Sequence, residues 1–241
     1  MTDRADRRTE LAAGLAEVEA RIDAACARAG RARQDVALVV VTKTFPASDV
    51  ILLRDLGVTD VGENKVQEAA AKSGAEAFAG LRLHLIGRLQ SNKAVAAGAL
   101  ADVVHSLDRE RLIGPLARGR TGRAARLGST EAGTLPVLLQ ISLDGDPSRG
   151  GVAAENLERL AEAVLASPLR LSGVMAVPPP GAQAGAAFAT LAELAGRVRR
   201  LAPEATWISA GMSGDLEAAV ANGATHLRVG SAILGSRSRF R

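Results

Sequence analysis

Tyrosine is absent from this 241-residue chain, and the other aromatic residues are so scarce that all aromatics together make up 2%. A core of this composition must be built from Ala, Val, Leu and Ile, and the hydrophobic content of 47% is ample for one. The single cysteine, Cys26, excludes an internal disulfide framework and fits a reducing compartment. Lysine is rare as well. Of the 30 residues that are lysine or arginine, only four are lysine. A lysine in an unusual setting is therefore informative.

Long apolar runs are also missing, and no stretch of about eighteen apolar residues predicts a membrane span. The first ten residues are charged and lack an apolar signal core, which indicates a cytoplasmic protein. The net charge of +4 comes from cations spread along the chain, with the densest stretches at Arg118–Arg126 and Arg237–Arg241. Because almost no aromatics are available to stack on bases, this charge does not favour nucleic-acid binding.

Short apolar runs alternate with longer segments of helical periodicity along the chain. Several runs are nearly continuous Val, Ile and Leu, as expected for parallel strands that are buried on both faces. We predict eight strands, at Val36–Thr42, Asp60–Gly62, Leu83–Gly87, Val103–Ser106, Val137–Ile141, Leu171–Ala176, Thr206–Ser209 and Thr225–Gly230. Eight strands that alternate with helices are typical of an α/β fold, the closed (β/α)8 TIM-type barrel. A doubly wound open sheet is the alternative.

The first thirty residues predict an additional amphipathic helix that packs on the barrel. Its apolar face consists of Leu11, Leu15, Val18, Ile22 and Cys26, and Gly30 ends it. Seven further helices are predicted at Ser48–Leu56, Lys65–Ala79, Ser91–Ala97, Arg109–Arg118, Ala153–Ala166, Ala184–Leu201 and Gly214–Asn222. The stretch Gly114–Gly133 contains five glycines, and we interpret it as a weak helix followed by a long loop. Because no linker interrupts the alternation, we expect one domain over residues 1–241.

Lys43 is the most informative single residue. It directly follows the first predicted strand, and in a barrel of this type chemistry takes place at the C-terminal ends of the strands. Apolar surroundings disfavour the charged form of a lysine, and the neutral amine is the form that attacks an aldehyde. The alternative is a lysine that extends from the strand end into solvent.

The segments after the seventh and eighth strands are suited to binding an anion. Residues 209–215, which include Ser209, Met212 and Ser213, form a glycine-containing loop that opens a helix, where free amides favour negative charge. Gly230 and Ser231 follow the eighth strand. These two loops are the usual phosphate site of the fold. On the alternative interpretation, Ser213 only caps the helix and Gly230 only turns the chain.

Arg228 and Asn64 are further candidates at strand ends. Arg228 lies between Leu227 and Val229, so strand alternation points it to the opposite face, which is the barrel interior. The alternative for Arg228 is an ordinary ion pair with an acidic residue of the barrel. Asn64 follows the second strand.

The three histidines show no spacing that would bind a metal ion, and no metal site is assigned. We interpret His84 and His226 as packed strand residues that form hydrogen bonds. Walker-type and dinucleotide-binding glycine patterns are also absent from the sequence.

Five ordered segments of the chain resemble the pyridoxal-phosphate homeostasis protein family, also called the proline synthetase co-transcribed homologues. They are VVTKT at 40–44, GENKVQE at 62–68, HLIGRLQSNK at 84–93, GMSGD at 211–215 and VGSAILG at 229–235. The resemblance runs from the N-terminal helix to the C-terminus. It implies a fold-type III barrel, similar to the N-terminal domain of alanine racemase, without a second β domain.

The resemblance also implies that pyridoxal 5'-phosphate is the cofactor. The implied site consists of Lys43 as the Schiff-base residue, Asn64 near the cofactor, Ser213, Gly230 and Ser231 at the phosphate, Ser209 and Met212 beside them, and Arg228 facing the pyridine nitrogen. An arginine in that position would keep the nitrogen unprotonated and make the cofactor a poorer electron sink. Family members are expected to act as cofactor carriers or buffers in vitamin B6 balance, without established turnover.

The leading hypothesis is therefore a non-catalytic protein that holds the cofactor and passes it to PLP-dependent apoenzymes. An amino-acid racemase is the alternative, but the alanine-racemase pattern needs a tyrosine opposite the lysine, and this chain has none. A Schiff-base aldolase acting on a phosphosugar would also suit a barrel, a lysine and a phosphate site. Against it, the lysine follows the first strand and the motifs indicate another family. We expect a monomer, because the few aromatics indicate no obvious interface.

Overall fold

The computed structural model describes residues 2–127, 133–146 and 148–235, and these ranges form a closed barrel of eight parallel strands. Each strand pairs with the next in chain order, and the eighth pairs with the first. The strands are β1 Ala37–Val41, β2 Asp60–Glu63, β3 Arg82–Leu85, β4 Val103–Leu107, β5 Pro136–Gln140, β6 Arg170–Met175, β7 Trp207–Ser209 and β8 His226–Val229. The predicted barrel is confirmed, and the open doubly wound sheet is excluded because its two edges are joined here.

Helices surround the barrel in the alternating order that the sequence predicts. They are α1 Thr2–Arg28, α2 Ala47–Asp55, α3 Val66–Gly74, α4 Ala94–Leu100, α5 Ile113–Leu127, α6 Leu157–Leu165, α7 Ala184–Leu201, α8 Leu216–Ala221 and α9 Ser231–Leu234. Short 3-10 turns at Ser91–Lys93, Glu110–Leu112 and Ala154–Asn156 precede α4, α5 and α6. Because of these turns, α4, α5 and α6 begin a few residues later than predicted.

Strand alternation divides the buried residues into two layers. The outward residues, such as Leu227 and Val229 of β8, join one large apolar core between the sheet and the helices. The inner face has a much smaller apolar cluster of Val103, Leu138 and Met175. The remaining inner space holds polar side chains, and those buried there are Asp60, His84, His105, Ser209, His226 and Arg228.

Helix α1 covers the barrel beside its last elements. Leu11, Val18, Ile22 and Cys26 are buried and Leu15 is partly buried, so the predicted apolar face is confirmed. This face packs against α8 and α9. Within the described residues, neither α1 nor any other helix has the length and apolar character needed to cross a membrane.

The glycine-rich stretch is more regular than the sequence predicts. Helix α5 continues to Leu127 instead of giving way to a loop after about one turn, and residues 128–132 lie outside the described part of the chain. The glycines serve the contact between α4 and α5. A Cβ on Gly98 would lie 2.1 Å from the carbonyl oxygen of Leu116, and one on Gly119 would lie 2.1 Å from that of Val95. These glycines therefore allow two helix backbones to touch, which a reading based on helix propensity missed.

We predict opposite effects of two alanine substitutions within α5. Gly119→Ala should lower the free energy of unfolding by roughly 1–3 kcal/mol, because its methyl group overlaps the α4 backbone. Gly122→Ala should raise it by about 0.5–1 kcal/mol, because no described atom outside the adjoining backbone of α5 lies within 4 Å of the added carbon and alanine favours the helix. Urea unfolding of both variants measures the difference. Equal effects of the two substitutions would contradict the proposed role of Gly119.

Candidate functional site

A cavity of about 600 Å³ opens at the C-terminal ends of the strands. Residues from the loops after β1, β2, β7 and β8 meet in its wall, as the barrel topology requires. Of the eight site residues predicted from the sequence, the seven that line this cavity are Lys43, Asn64, Met212, Ser213, Arg228, Gly230 and Ser231. The cavity volume falls in the range typical of small-molecule sites.

Lys43 lies two residues after β1 and is partly exposed at the cavity wall. In the described part of the chain, its amine has no hydrogen bond or ion pair. This distinguishes it from Lys72, whose amine is fully engaged. The Lys43 amine is therefore available to a ligand in the cavity.

The turn after Lys43 is strained. Thr44 has a φ of 69°, in the left-handed region that β-branched residues rarely adopt. Its backbone N–H donates a hydrogen bond to Glu68 at the start of α3. Such a conformation persists only where neighbouring contacts impose it. Here Glu68 of α3 provides one such contact.

Lys72 of α3 connects this turn to the end of strand β2. Its Nζ donates to the carbonyl oxygen of Thr42 at 2.8 Å, and it lies 2.6 Å from Glu63 Oε1 and 3.2 Å from Glu68 Oε1. Thr42 Oγ1 also donates to Glu63 Oε1 at 2.6 Å. Lys72 thus contacts the residue before Lys43 directly, and it contacts the residue after Lys43 through Glu68. We call Glu63, Glu68 and Lys72 the α3 clamp.

Glu63 is the buried centre of the α3 clamp, and none of its surface is exposed. Burial raises the pKa of its carboxyl above the ordinary value, although the hydrogen bonds from Lys72 and Thr42 act in the opposite direction. Lys72 is therefore needed to keep this carboxylate paired. The sequence analysis missed the clamp. A signal was present, since Lys72 falls on the same α3 face as Val66 and Ala69, both of which are buried.

Two serines meet where the loops after β7 and β8 come together. Ser231 Oγ donates to Ser213 Oγ at 3.2 Å, and the backbone N–H of Ala232 lies 3.4 Å from the same oxygen. Helix α8 begins only at Leu216, and Ser213 makes no capping bond to it, so the capping interpretation of Ser213 is wrong. A Cβ on Gly230 would lie 3.0 Å from the carbonyl oxygen of Val41, so glycine lets this loop approach β1. Hydroxyls and backbone amides in this arrangement can bind an anion.

Arg228 points into the barrel, as alternation predicts, and it is buried between the cavity and the interior. Its Nη1 donates to Ser209 Oγ at 2.5 Å and its Nη2 to the carbonyl oxygen of Ala176 at 2.9 Å. Burial lowers its pKa to about 10, with Asp215 acting against that shift. Among the described residues it forms no ion pair, so the ion-pair alternative finds no support there. Its remaining N–H groups can donate to a ligand.

Ser209 lies beneath the cavity rather than in its wall. It is fully buried, accepts the bond from Arg228 and contacts His105 Nδ1 at 2.9 Å. The interpretation of His84 and His226 as hydrogen-bonded strand residues is confirmed by contacts to Asp60 and Thr225. Over residues 2–127, 133–146 and 148–235, no cluster of three or more histidine, cysteine or acidic side chains could hold a metal ion.

Comparison with known proteins places these features in a family. Residues 15–238 match the family model described as alanine racemase, N-terminal domain. A Mycobacterium tuberculosis protein named pyridoxal phosphate homeostasis protein is 41% identical over 246 residues, covering 96% of this chain and 95% of that protein. The solved structure of PipY from Synechococcus elongatus, with PLP bound, has a TM-score of 0.75 and 31% identity, covering 93% of this chain and all of that one.

The fold extends to more distant barrels. Alanine racemase from Bartonella henselae has a TM-score of 0.64 at 14% identity, covering 95% of this chain and 61% of the racemase. The protein is thus a barrel of the alanine-racemase type with a lysine and a pair of hydrogen-bonded serines at its C-terminal mouth. Within the alanine racemase N-terminal domain family, the chain belongs to the pyridoxal phosphate homeostasis proteins.

Removing the lysine of the α3 clamp should be strongly destabilising. We predict that Lys72→Met lowers the free energy of unfolding by about 3–5 kcal/mol, because it leaves Glu63 buried without a counter-charge. The matched control is Lys65→Met, which removes an exposed lysine and should change stability by less than about 0.5 kcal/mol. Urea unfolding at neutral pH compares them. Similar effects of the two substitutions would rule out the clamp as a stabilising element.

His226 should make the fold sensitive to acid. Burial lowers the pKa of His226 to about 3 in the folded protein, against about 6.5 when unfolded. Between these values the unfolded chain binds a proton that the folded chain does not, so stability is greatest above pH 6.5. It should fall by about 1.4 kcal/mol per pH unit through this residue as the pH decreases. The free energy of unfolding should be measured at several pH values for the wild type and for His226→Gln. Its dependence on pH should be weaker by that amount in His226→Gln, and equal dependence in the two proteins would refute the lowered pKa of His226.

Proposed function

We propose that this protein holds pyridoxal 5'-phosphate covalently on Lys43 and acts in intracellular homeostasis and supply of that cofactor. One observation carries the proposal: an unengaged lysine amine, a two-serine cradle and a buried arginine line the same cavity. The relative named pyridoxal phosphate homeostasis protein and the PLP-bound PipY structure support the same ligand.

Lys43 supplies the covalent bond in this proposal. Its amine would hold the cofactor through an imine at the aldehyde carbon, with release of one water molecule. Hydrolysis would release the cofactor again, and exchange with another amine would pass it on, so the bond would hold the cofactor without trapping it. The α3 clamp acts indirectly, because it fixes the residues on either side of Lys43 and thereby the direction of its side chain.

The remaining residues fix the non-covalent ends of the ligand. The Ser213 and Ser231 hydroxyls and the Ala232 N–H would bind the phosphate, and the close approach of Gly230 to β1 brings them near Lys43. Arg228 would donate to the pyridine nitrogen and keep it unprotonated. Asn64 and Met212 also line the cavity.

The other residues that line the cavity support a non-catalytic role. Among its described lining residues, Lys43 and Arg228 are the only ones with a titratable side chain. A racemase needs a second proton carrier opposite the lysine, and an arginine held by Ser209 and Ala176 is a poor candidate. We therefore propose a carrier or buffer that passes its ligand to PLP-dependent apoenzymes. We further propose one cytoplasmic domain over residues 1–241 that acts as a monomer.

Replacement of Lys43 tests the covalent bond. The wild-type protein incubated with pyridoxal 5'-phosphate should be yellow, and borohydride reduction should fix the ligand on the peptide that contains Lys43. Lys43→Ala should lose the colour and the modification but remain folded, because Lys43 makes no hydrogen bond or ion pair with a described residue. Lys65→Ala, a lysine near the same mouth, should retain both. Modification of Lys65 in place of Lys43 would overturn the assignment.

Chiral analysis separates the carrier from a racemase. The loaded wild-type protein, incubated with single L-amino acids, should form no D-isomer above the level of free pyridoxal 5'-phosphate. Formation of the D-isomer at enzyme-like rates of about 1 s⁻¹ or more would refute the carrier function and support a racemase.

A further inference from the structure

Five buried side chains inside the barrel form an unbroken chain of hydrogen bonds, which we call the inner relay. Arg228 Nη1 lies 2.5 Å from Ser209 Oγ, and Ser209 Oγ lies 2.9 Å from His105 Nδ1. His105 Nε2 is 2.8 Å from His84 Nδ1, and His84 Nε2 is 2.8 Å from Asp60 Oδ1. All five residues are buried.

The inner relay connects the two ends of the barrel. Arg228 lines the functional cavity at the C-terminal mouth. Asp60 begins β2 and lines a separate cavity of about 410 Å³ together with Arg82, an exposed residue. Asp60 Oδ2 also accepts hydrogen bonds from Thr59 Oγ1 at 2.6 Å and from Arg82 Nη2 at 2.9 Å. The carboxylate is thus held firmly at the far end from the cavity.

The chemistry of the two end groups sets the direction of every bond between them. A guanidinium only donates, so Ser209 Oγ accepts from Arg228 and its own proton points to His105 Nδ1. An ionised carboxylate only accepts, so His84 Nε2 carries a proton directed at Asp60. In a neutral ring His84 Nδ1 is then an acceptor, and His105 Nε2–H donates to it. With both rings neutral, the order that starts from Asp60 runs through to Ser209 Oγ–H donating to His105 Nδ1, which is compatible with Ser209 Oγ accepting from Arg228.

The charge states agree with this order. Burial, with the positive charge of Arg228 nearby, lowers the pKa of His105 well below its ordinary value, so this ring is neutral. Burial alone would raise the pKa of Asp60, but hydrogen bonds from His84, Arg82 and Thr59 outweigh it and hold the pKa well below the ordinary value. Asp60 is therefore ionised at neutral pH.

We infer that the inner relay is a positioning device for Arg228. It anchors one edge of the guanidinium through Ser209 while the Ala176 carbonyl anchors the other, and it holds His84 and His105 as neutral Nε2–H tautomers. Asp60, His84, His105 and Ser209 are accordingly positioning residues. The inference rests on the proposed function in one respect only, which is that Arg228 is directed at the ring nitrogen of pyridoxal 5'-phosphate.

The first experiment uses the unloaded protein and needs no ligand. The chain has three histidines, so long-range nitrogen–proton NMR spectra are simple, and His226→Gln identifies the one outside the relay. At neutral pH we expect His84 and His105 each to show one protonated Nε2 and one unprotonated Nδ1. A doubly protonated ring, or a proton on Nδ1 of either residue, would overturn the relay.

A matched pair of serine variants then tests whether the relay restrains Arg228. Ser209→Ala should shift the His105 Nδ1 signal and speed hydrogen exchange of the Arg228 guanidinium by roughly tenfold, because one bond to a charged donor is lost. Ser106→Ala removes a buried hydroxyl from β4 that has no partner among the described residues and should change neither signal. Equal behaviour of the two variants would exclude a positioning role.

A double-mutant cycle connects the relay to the ligand. Ser209→Ala should weaken the binding of pyridoxal 5'-phosphate by roughly tenfold in the wild-type background. In an Arg228→Gln background it should weaken binding by less than about twofold, because Ser209 acts through Arg228. The same loss in both backgrounds would refute that coupling. If no variant binds the cofactor, the proposed function fails, and the NMR spectra of the unloaded protein still decide the relay.

Discussion

The parallel ladder between β1 and β8 joins the first and last strands of the barrel, and the site depends on it. Val40 pairs with Val229 in this ladder, so the residues that follow each strand emerge side by side. Lys43 and Ser231, which are far apart in sequence, therefore line one cavity. The approach is close enough that a side chain at Gly230 would press on the Val41 carbonyl. Closure of the barrel is thus what assembles the site.

Two polar arrangements support this mouth from different layers. The α3 clamp lies behind β1, where Lys72 and the two glutamates hold the turn on which Lys43 stands. The inner relay lies within the barrel and holds Arg228 from below. Buried polar groups are costly unless their hydrogen bonds are made, and in both arrangements nearly all of them are. The exception is Glu63 Oε2, which has no partner among the described residues.

Prediction from sequence succeeded where a pattern depends on local chemistry. The eight strands and the α1 face follow from apolar periodicity, and Ala184–Leu201 was predicted with the observed bounds. It failed for α5, because glycine lowers helix propensity while Gly98 and Gly119 are needed where two backbones touch. The sequence also left open whether Ser209 faces the cavity. A serine at a strand end can line a cavity or lie beneath it, and only its packing against His105 and Arg228 decides.

The sequence by itself determined the barrel, seven of the residues that line the cavity and the family, because strand periodicity and short motifs are properties of neighbouring residues. Only the tertiary structure decided which polar side chains meet. The contacts of Glu63 with Lys72, and of His84 with His105, join different elements of the fold. Their hydrogen bonds depend on strand register and on distances of a few tenths of an ångström, which no spacing along the chain encodes.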